Sequence, residues 1–537
     1  MDIKDYIKEK IQKSIDISDT EIIVDIPKDK KNGDYSSNIA LKLTKILKDN
    51  PMNIANKIVE NIKCDDILEK IEIASPGFIN FYTSKKYLLD NINKVLEEKD
   101  NYGSSKESKN LKINLEYVSA NPTGILHLGH ARGASYGDSL ARIYKFAGYD
   151  VTREYYINDA GNQMYNLGVS IKERYKELCG INFELPENGY HGKEIIDIAK
   201  NIYEEFQDTK LEEDIPFFKK YGLNILLSKI KKDLADFNVE FDVWSSEQSI
   251  YDRNEVKNVL NKLIEDNRTY ESDDAIWLKT SEYGDEKDRV LVKNDGTYTY
   301  LLPDIAYHND KYKRNYDNII DVLGADHHGY IPRLKASMEM LGNDSNKLDV
   351  KILQMVRLIQ DGKEVKMSKR TGNAITIREL MEEVGVDATR YFYIMRSLDT
   401  QMDFDMDLAT KKSNDNPVYY VQYAHARICS ILRDAESKNL KASTCFETIE
   451  SEEAYDILKK IYEFNTVVEN SASKKLPHLI TNYVYDLAGL FHTYYSKEKI
   501  LTDNKKYSEE RIALITAVKI TISNALSLIG VSSPEKM

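Results

Sequence analysis

Cysteine is scarce in this sequence, and its four cysteines lie far apart. They are Cys64, Cys179, Cys429 and Cys445, and no two have the two-residue spacing of a zinc ribbon. The spacing therefore supports neither a structural zinc site nor a disulfide framework. Four buried free thiols are expected instead, because unpaired cysteine behaves as a small hydrophobic residue.

Long apolar runs are also missing. Residues 1–6 carry charge from the start and lack the continuous apolar core of a signal peptide. No apolar run approaches the length of about 20 residues that a membrane-spanning helix needs. We therefore expect a cytoplasmic protein without a membrane segment.

Positive charge falls short of negative charge. The chain has 75 Lys and Arg against 88 Asp and Glu, which gives a net charge of −13. This balance argues mildly against a protein that coats nucleic acid, although a local basic face could still bind RNA. The hydrophobic content of 42% is typical of globular proteins, and 537 residues are too many for one core. Several folded domains are predicted.

The beginning of the chain has the pattern of a small mixed domain over residues 1–100. Apolar residues recur at helical spacing in two segments, and two short alternating segments are separated by Pro76-Gly77. The helices are expected at 3–15 and 37–48, and the strands at 71–74 and 78–81. The polar stretch 97–110 is expected to be a linker.

The middle of the chain has the order of a parallel βαβ unit. A strand at 112–118 is followed by a helix at 130–147 and a strand at 151–157. Later segments favour a hairpin around Asn294-Asp295-Gly296 and two further buried strands. Those strands are expected at 319–323 and 350–355. We predict a Rossmann-like parallel-sheet domain over 111–360 with a helical insertion at about 165–285.

The remainder of the chain divides into two parts. Residues 361–411 contain a basic loop, and residues 412–537 show helical periodicity throughout. The predicted fold is thus a multidomain α/β protein. It has a small α+β domain first, a Rossmann-like domain in the middle and an all-α domain last.

Two histidines mark the first predicted strand-to-helix turn. His127-x-Gly129-His130 lies where unpaired backbone N–H groups and the helix dipole favour an anion. Gly129 allows a backbone or a flat ring to approach closely. The pattern suits nucleotidyl transfer, which depends on stabilising charge at phosphorus. Helix capping or metal binding by the two histidines remains an alternative.

A basic segment follows the last predicted strand of the sheet. Lys366-Met367-Ser368-Lys369-Arg370 precedes Thr371-Gly372-Asn373, which is the composition of a mobile loop. Such a loop can close on a triphosphate and neutralise the departing pyrophosphate. A solvated basic turn is the usual alternative. The order of the two motifs, HxGH first and KMSK second, strengthens the functional interpretation of both.

Together the two motifs resemble the signatures of class I aminoacyl-tRNA synthetases, and the block around the first resembles arginyl-tRNA synthetases. Further similar stretches lie at 157–163, 299–307, 324–329, 416–427 and 533–537. The resemblance covers essentially the whole chain and is weakest in the insertion. The residues of the HIGH-type motif are Ala120, Asn121, Pro122, Thr123, Gly124, Ile125, Leu126, His127, Leu128, Gly129 and His130.

The resemblance implies roles for these residues. Catalysis is implied for His127, His130, Lys366 and Lys369, and ATP binding for the same four together with Gly129 and Met367. Glu116 and Asn121 are implied to hold the backbone groups of arginine, and Tyr300 and Asp304 its guanidinium. His327 or Asp326 stands where some relatives have Gln, so either residue could make that contact. A surface carboxylate or helix cap is the alternative for Asp304.

Arginine specificity also has a physical basis in the sequence. A guanidinium is planar, permanently charged and has five donors, so its pocket needs a carboxylate and other acceptors. Tyr300 and Asp304 are four residues apart and would share one helix face. A pocket of this kind rejects uncharged side chains, because its own carboxylate would remain unpaired.

The same resemblance implies where tRNA binds. Phe78 and Asn80 of the N-terminal domain would contact the D-loop, although Ser75 replaces an Asn found in some relatives. In the helical domain, Tyr420, Tyr423 and Arg427 have the aromatic and basic character that suits unstacked anticodon bases. The alternative for each single tyrosine is a place in the core.

The resemblance further implies the partners tRNA(Arg), L-arginine and ATP with Mg²⁺, with no protein-held metal and a monomeric state. Another class I synthetase is one alternative, although a cysteinyl enzyme would be expected to show zinc-ligand cysteines. A non-catalytic tRNA-binding paralogue is another, and it should have lost catalytic residues. Small adenylyltransferases share HxGH but are far shorter.

Overall fold

The computed structural model describes residues 3–15, 20–27, 29–105, 108–365 and 375–537, without the side chains of Lys30, Asp326 and His328. The N-terminal domain is a three-stranded antiparallel sheet, in the order β1-β3-β2, covered by helices. Both predicted helices and both predicted strands are present. Its elements are α1 (Ile3–Ser14), β1 (Tyr35–Ser37), α2 (Ile39–Leu47), α3 (Pro51–Glu60), β2 (Leu68–Ala74), β3 (Phe78–Thr83) and α4 (Lys85–Glu98).

The central domain is built on a five-stranded sheet in which every strand pair is parallel. Its elements are β4 (Lys112–Glu116), α5 (Leu128–Phe146), β5 (Asp150–Ile157), α6 (Gly161–Leu178), α7 (Lys193–Phe206), α8 (Ile215–Asp236), β6 (Val243–Ser246), α9 (Glu247–Asp252), α10 (Glu255–Glu265), β7 (Thr269–Ser272), β8 (Ala275–Leu278), β9 (Arg289–Val292), α11 (Leu301–Lys313), β10 (Asn318–Gly324), α12 (Ile331–Met340) and β11 (Leu348–Leu353).

The strand order of this sheet is β11-β10-β4-β5-β6. The chain therefore starts in the middle, moves outward to one edge, and returns to build the other side beside β4. This is the doubly wound order, and ligands bind at the carboxyl ends of the strands where the order reverses. The reversal lies between β4 and β10, so Glu116 at the end of β4 is at the expected binding position.

The predicted helical insertion at 165–285 needs correction. Strand β6 lies inside that range and belongs to the central sheet, where it pairs in parallel with β5. Helices α6 to α8 are the crossover between these strands. A second excursion contains the antiparallel sheet β7-β8-β9, so the range is not purely helical. Four residues, Val243–Ser246, are too few to produce a recognisable strand pattern in sequence.

The predicted hairpin around Asn294-Asp295-Gly296 is present in part. Val292 and Tyr298 form an isolated bridge, and Thr299 N–H donates to the Leu291 carbonyl at 2.9 Å. The returning arm does not continue as a strand, because Tyr300 is already the N-cap of α11. Helix formation there places Tyr300 and Asp304 on one turn, as their spacing predicts.

The last part of the chain contains a small mixed region and a helical bundle. The small region comprises β12 (Val356–Gln360), β13 (Lys363–Glu364), α13 (Ile377–Val384), α14 (Val386–Ile394), β14 (Met402–Asp405) and α15 (Met406–Thr410). The bundle comprises α16 (Pro417–Ser437), α17 (Glu452–Tyr462), α18 (Phe464–Lys474), α19 (His478–Lys497) and α20 (Lys505–Leu528). One continuous apolar core joins the parallel sheet to this bundle.

The segment expected to be a linker is packed against the bundle. Its first residues close α4, and Tyr102 is 4% exposed. Asn524 on α20 donates to the carbonyls of Lys99 and Tyr102 at 2.9 and 3.0 Å. Residues 99–102 are therefore held against the bundle through their backbone carbonyls and do not form a free tether.

Two other expectations need correction. Cys64 and Cys445 are exposed, Cys179 is half-buried and only Cys429 is buried, because the first two lie in polar loops. Helix α20 has the length and apolar composition of a membrane-spanning helix, contrary to the expectation that no segment does. However, 72% of its most apolar window is buried, as is normal for the central helix of a bundle.

Helix α5 approaches the sheet closely at Gly137. A Cβ placed there would lie 2.1 Å from Cγ of buried Tyr117, close to the backbone where the ring cannot move aside. We predict that Gly137→Ala lowers the unfolding midpoint by the equivalent of about 1–3 kcal/mol, despite alanine's helix propensity. Gly133→Ala is the matched control, because its Cβ would make only an ordinary 3.7 Å contact with Leu353. Equal midpoints for the two variants in thermal denaturation would contradict this packing.

Candidate active site

A cavity of about 770 Å³ opens at the reversal point of the parallel sheet. All the predicted arginine-pocket residues, and the HxGH residues His127, Gly129 and His130, line it. The predicted residues brought together here are Glu116, Asn121, His127, Gly129, His130, Tyr300, Asp304 and His327. Residues from several separate chain segments thus converge on one space, which local sequence patterns alone cannot show.

The HxGH turn is a helix cap built from its own histidines. His127 is the N-cap of α5, and its Nδ1 accepts from Gly129 N–H at 3.2 Å. Nδ1 of His130 accepts from His127 N–H at 3.1 Å. The two rings lie with centroids 3.9 Å apart. The two histidines therefore do cap the helix, as the alternative interpretation states. Their capping also determines which nitrogen of each ring carries the proton.

Because each Nδ1 accepts a hydrogen bond, each neutral ring carries its proton on Nε2. Burial lowers the pKa of both rings, that of His130 to about 3, with a smaller contribution from His127. At neutral pH the turn offers two uncharged N–H donors at a helix N-terminus, an arrangement that suits a phosphate group.

The residues that follow the KMSK segment are hydrogen-bonded to the HxGH turn. Leu128 N–H donates to the Ile375 carbonyl at 3.1 Å, and Ile377 N–H donates to the Leu126 carbonyl at 2.9 Å. Lys366, Met367 and Lys369 themselves lie outside the described residues. Their predicted roles stay predictions, but the chain on their C-terminal side is fixed directly beside His127.

Two carboxylates also line the cavity. Asp304 accepts a hydrogen bond from Tyr330 Oη at 2.5 Å, and Glu247 lies at the first turn of α9. Burial raises the pKa of Asp304, and burial followed by the charges of Asp304 and Asp159 raises the pKa of Glu247 to about 7. Because the charge of Asp304 disfavours ionisation of Glu247, the two carboxylates form a site for a cationic ligand.

The sequence patterns missed Glu247. It stands directly after the short strand β6, at the carboxyl end of a parallel strand, where ligand-binding residues concentrate. Its position would have indicated a role only if β6 had been assigned to the sheet. Gln163 ends the stretch 157–163, which resembles the family in sequence. Its buried Oε1 has no hydrogen-bond partner among the described residues, and its side chain lines the cavity.

Glu116 is more deeply placed than its predicted role suggests. It is 5% exposed, and Oε2 accepts from Tyr307 Oη at 2.8 Å and from Lys311 Nζ at 2.5 Å. Its other oxygen accepts from Ser119 Oγ at 2.8 Å. These contacts place it at the floor of the cavity, and binding of the α-amino group stays a prediction.

The remaining predicted pocket residues differ in exposure. Tyr300 is 70% exposed at the cavity mouth, whereas the ring of His327 lies edge-on to Tyr330, the partner of Asp304. The side chain of Asp326 is not among the described ones. Asp159 accepts from Ser246 Oγ and Gln248 N–H at 2.7 and 2.8 Å. It therefore caps the start of α9.

The predicted tRNA contacts in the N-terminal domain are unequal. Phe78 is 38% exposed at the beginning of β3. Asn80 is 3% exposed, and its Oδ1 accepts from Ser36 Oγ at 2.8 Å. Contact between Asn80 and a base would require this side chain to leave its partner, so the geometry favours Phe78.

The predicted anticodon residues form one partly exposed aromatic face. Arg427 donates to Tyr423 Oη and lies over the rings of Tyr423 and Tyr495. The ring of Tyr420 contacts those of Tyr485 and His492 at centroid distances of 5.1 and 4.6 Å. Each of the three predicted residues is only half-buried.

Comparisons with known proteins agree over the whole chain. Three family models match: the arginyl tRNA synthetase N-terminal domain at residues 1–83, the catalytic domain of class I tRNA synthetases (R) at 91–395, and the DALR anticodon binding domain at 421–537. The arginine–tRNA ligases of Staphylococcus epidermidis and Staphylococcus aureus (strain JH9) are each 54% identical over 524 residues, 96% of this chain and 95% of theirs. The chain belongs to the arginyl-tRNA synthetase family.

A solved structure agrees at the level of the fold. The Thermus thermophilus arginyl-tRNA synthetase superposes with a TM-score of 0.78 at 20% identity, and all of both chains is covered. The predicted three-part architecture is confirmed by this likeness and by the three family models. The arginyl-tRNA synthetase resemblance drawn from the HxGH block is confirmed as well.

Proposed function

We propose that the chain is an arginine–tRNA ligase that activates L-arginine with ATP and transfers it to tRNA(Arg). The observation that carries this proposal is the composition of a single cavity. Neutral imidazole donors at a helix N-terminus lie in the same space as two carboxylates that favour a cation, buried Glu247 and half-buried Asp304. The first arrangement fits a nucleotide phosphate, and the second fits a guanidinium.

The proposed reaction has two steps. The carboxylate of arginine attacks the α-phosphorus of ATP, forming arginyl-adenylate and releasing pyrophosphate. A ribose hydroxyl at the 3′ end of tRNA then attacks the carbonyl carbon, forming the ester and releasing AMP. His127 and His130 donate from Nε2 to the phosphate oxygens as charge develops there. Lys366 and Lys369 are assigned to the charge of the departing pyrophosphate.

Selection of arginine rests on Asp304 and Glu247. A guanidinium can be shared by two carboxylates because its donors diverge in one plane, whereas an ammonium offers a compact point charge. A neutral side chain would leave both carboxylates desolvated and unpaired. Tyr300 is assigned to cover the guanidinium at the cavity mouth.

Mg²⁺ is expected to enter with ATP. Among the residues that the structure describes, no group of three or more His, Cys, Asp or Glu side chains could hold a metal. An ion held by the nucleotide would screen the charge of its β- and γ-phosphates.

Activation is proposed to depend on bound tRNA. The carbonyl of Ile375 binds the HxGH turn directly, so the adjoining 366–374 segment would act at the same phosphates as His127 and His130. The 3′ end of the tRNA would enter the cavity beside exposed Tyr300. There it could hold the Asp304 region and the 366–370 loop in the active arrangement. Monomeric state and cytoplasmic location also stay predictions.

The test is aminoacylation of a tRNA(Arg) transcript with each of the twenty amino acids in turn. We expect charging with arginine alone. Charging with lysine at a comparable kcat/KM, or with none of the twenty, would contradict the proposal.

A further inference from the structure

A buried charged cluster lies beneath the proposed arginine site. Lys311 on α11 is 0% exposed, and its Nζ donates to Glu116 on β4 at 2.5 Å and to Asp321 on β10 at 2.7 Å. One turn earlier on the same helix, His308 is 8% exposed. The cluster thus joins the inner face of α11 to the two strands at the reversal point.

His308 sits between two acceptors. Its Nδ1 lies 2.7 Å from the backbone carbonyl of Asp304, and its Nε2 lies 2.8 Å from Oδ2 of Asp321. A carbonyl oxygen cannot donate, so Nδ1 must carry a proton. Asp321 is held ionised by Lys311 on its other oxygen, so Nε2 must carry a proton too. The ring is therefore an imidazolium.

The pKa directions agree with this geometry. Burial alone would lower the pKa of His308, but the charge and hydrogen bond of Asp321 outweigh burial and raise it above its ordinary value. Burial likewise opposes ionisation of Asp321, yet Lys311 and then His308 hold its pKa below its ordinary value. Lys311 lowers the pKa of His308 and Glu116 raises it.

Charge is balanced within the cluster without Asp304. Three carboxylates face three cations, and Arg314 neutralises Glu154 with hydrogen bonds of 2.9 and 3.0 Å. Tyr307 donates to both Glu116 and Glu154 and so links the two halves. The carboxylates are Glu116, Glu154 and Asp321, and the cations are His308, Lys311 and Arg314. Asp304 forms none of these ion pairs, and the charges of His308 and His327 offset its burial only in part, so its carboxylate can accept a cationic ligand in the cavity.

We propose that His308 is a positioning residue for arginine: as an imidazolium it ties the carbonyl of Asp304 to Asp321 and so holds the first turn of α11 with the Asp304 carboxylate facing the cavity. The inference rests on the proposed role of Asp304. The tie matters because the first backbone bond of this turn, Asp304 N–H to the Tyr300 carbonyl, is long at 3.4 Å.

The proposal gives arginine affinity an alkaline limit. His308 has a raised pKa, so its protonated form is present below that pKa and is lost as pH rises through it. Deprotonation turns one N–H into a lone pair facing an acceptor, which breaks the tie. The charged or titratable groups that face the ring are Asp304, Tyr307 and Lys311 on α11, Asp321 on β10 and Glu116 on β4.

The experiment measures KM for arginine in aminoacylation from about pH 6 to about pH 10, a range that includes the ordinary histidine pKa of about 6.5 and extends well above it. His308→Gln keeps one donor but cannot bridge both acceptors. We expect its KM to be about tenfold or more above the wild-type value at neutral pH, with kcat within about twofold. Lys313→Ala, on the exposed face of the same helix, is the control and should match the wild type.

Asp321→Asn provides the second variant. The asparagine can donate to Nε2 of a neutral His308 while Nδ1–H still holds the Asp304 carbonyl. Removing one carboxylate and one imidazolium also leaves the cluster neutral. We expect a KM close to the wild-type value and free of the alkaline rise that His308 causes. Titration of the substrate's own amino group is common to all variants and is subtracted by comparison with Lys313→Ala.

Three results would overturn the inference. The first is an unchanged KM for arginine in His308→Gln. The second is a fall in kcat and unfolding midpoint of that variant without a change in its KM. The third is a rise in KM at alkaline pH that persists in Asp321→Asn. The role of Asp304 is tested separately by Asp304→Asn. If that variant raises KM and His308→Gln does not, only the inference fails; if Asp304→Asn leaves KM unchanged, the proposed arginine site itself fails.

Discussion

Asp304→Asn is expected to lower kcat/KM for arginine by about a hundredfold to several thousandfold. Removing one partner of a buried charge pair costs about 3–5 kcal/mol, since the guanidinium loses its carboxylate in a desolvated site. Asparagine has nearly the same shape and can still accept the hydrogen bond from Tyr330. The loss is therefore expected in arginine binding rather than in folding.

Stability gives an internal check on this variant. The pKa of Asp304 is raised in the fold, so its ionised form is disfavoured there. A neutral amide removes this unfavourable charge, and the unfolding midpoint should stay the same or rise. Glu265→Gln, an exposed change on α10, serves as the control for general effects of losing a carboxylate. A fall in midpoint together with unchanged arginine KM would contradict the assigned role.

Substrate selection should change in the same variant. Citrulline is a neutral analogue of arginine with nearly the same shape, and the wild-type site should discriminate strongly against it because two carboxylates would stay unpaired. Asp304→Asn should lower the ratio of kcat/KM for arginine to kcat/KM for citrulline. Unaltered discrimination would assign the selectivity to other residues.

His130→Asn is expected to lower kcat by about 10²- to 10³-fold with little change in the unfolding midpoint. Oδ1 of asparagine can replace Nδ1 as the acceptor for His127 N–H, so the cap survives. The Nε2 donor has no counterpart in asparagine, so a phosphate contact is lost. His191→Asn, an exposed histidine outside the cavity, is the matched control.

The pH profile separates two ways in which His130 could act. Its folded-state pKa is lowered to about 3, so the ring is neutral at every pH near neutrality. Its contribution to stability is full above the ordinary pKa of about 6.5 and is lost as pH falls toward the folded value. If His130 acted as a cation, kcat would fall as pH rises through the pKa of the ring. We expect the wild type to show no such fall that disappears in His130→Asn, because the ring is already neutral there.

Much of the site followed from short sequence patterns because the physics there is local. A helix N-terminus preceded by a buried strand makes His127 and His130 candidates for phosphate binding on sequence grounds alone. The spacing of Tyr300 and Asp304 placed them on one helical turn, and the fold bears this out. The parallel sheet was expected from strand order alone.

The remaining features depend on contacts distant in sequence. Strand β6 has four residues and is recognisable only by its pairing with β5, so Glu247 at its end was overlooked. The buried cluster of His308, Lys311 and Asp321 joins a helix to two strands. Each of these residue types, taken alone, is typical of the protein surface. Hydrophobic periodicity identifies the buried face of a single helix or strand, whereas these sites form only when several helices and strands pack together.

The most direct test of the account is ATP–pyrophosphate exchange with arginine, measured with and without tRNA(Arg). We predict exchange that depends on arginine, requires the tRNA, and is reduced in both Asp304→Asn and His130→Asn. Absence of exchange in the presence of tRNA and arginine would contradict the assignment of activity to this cavity, and full exchange without tRNA would contradict the proposed coupling.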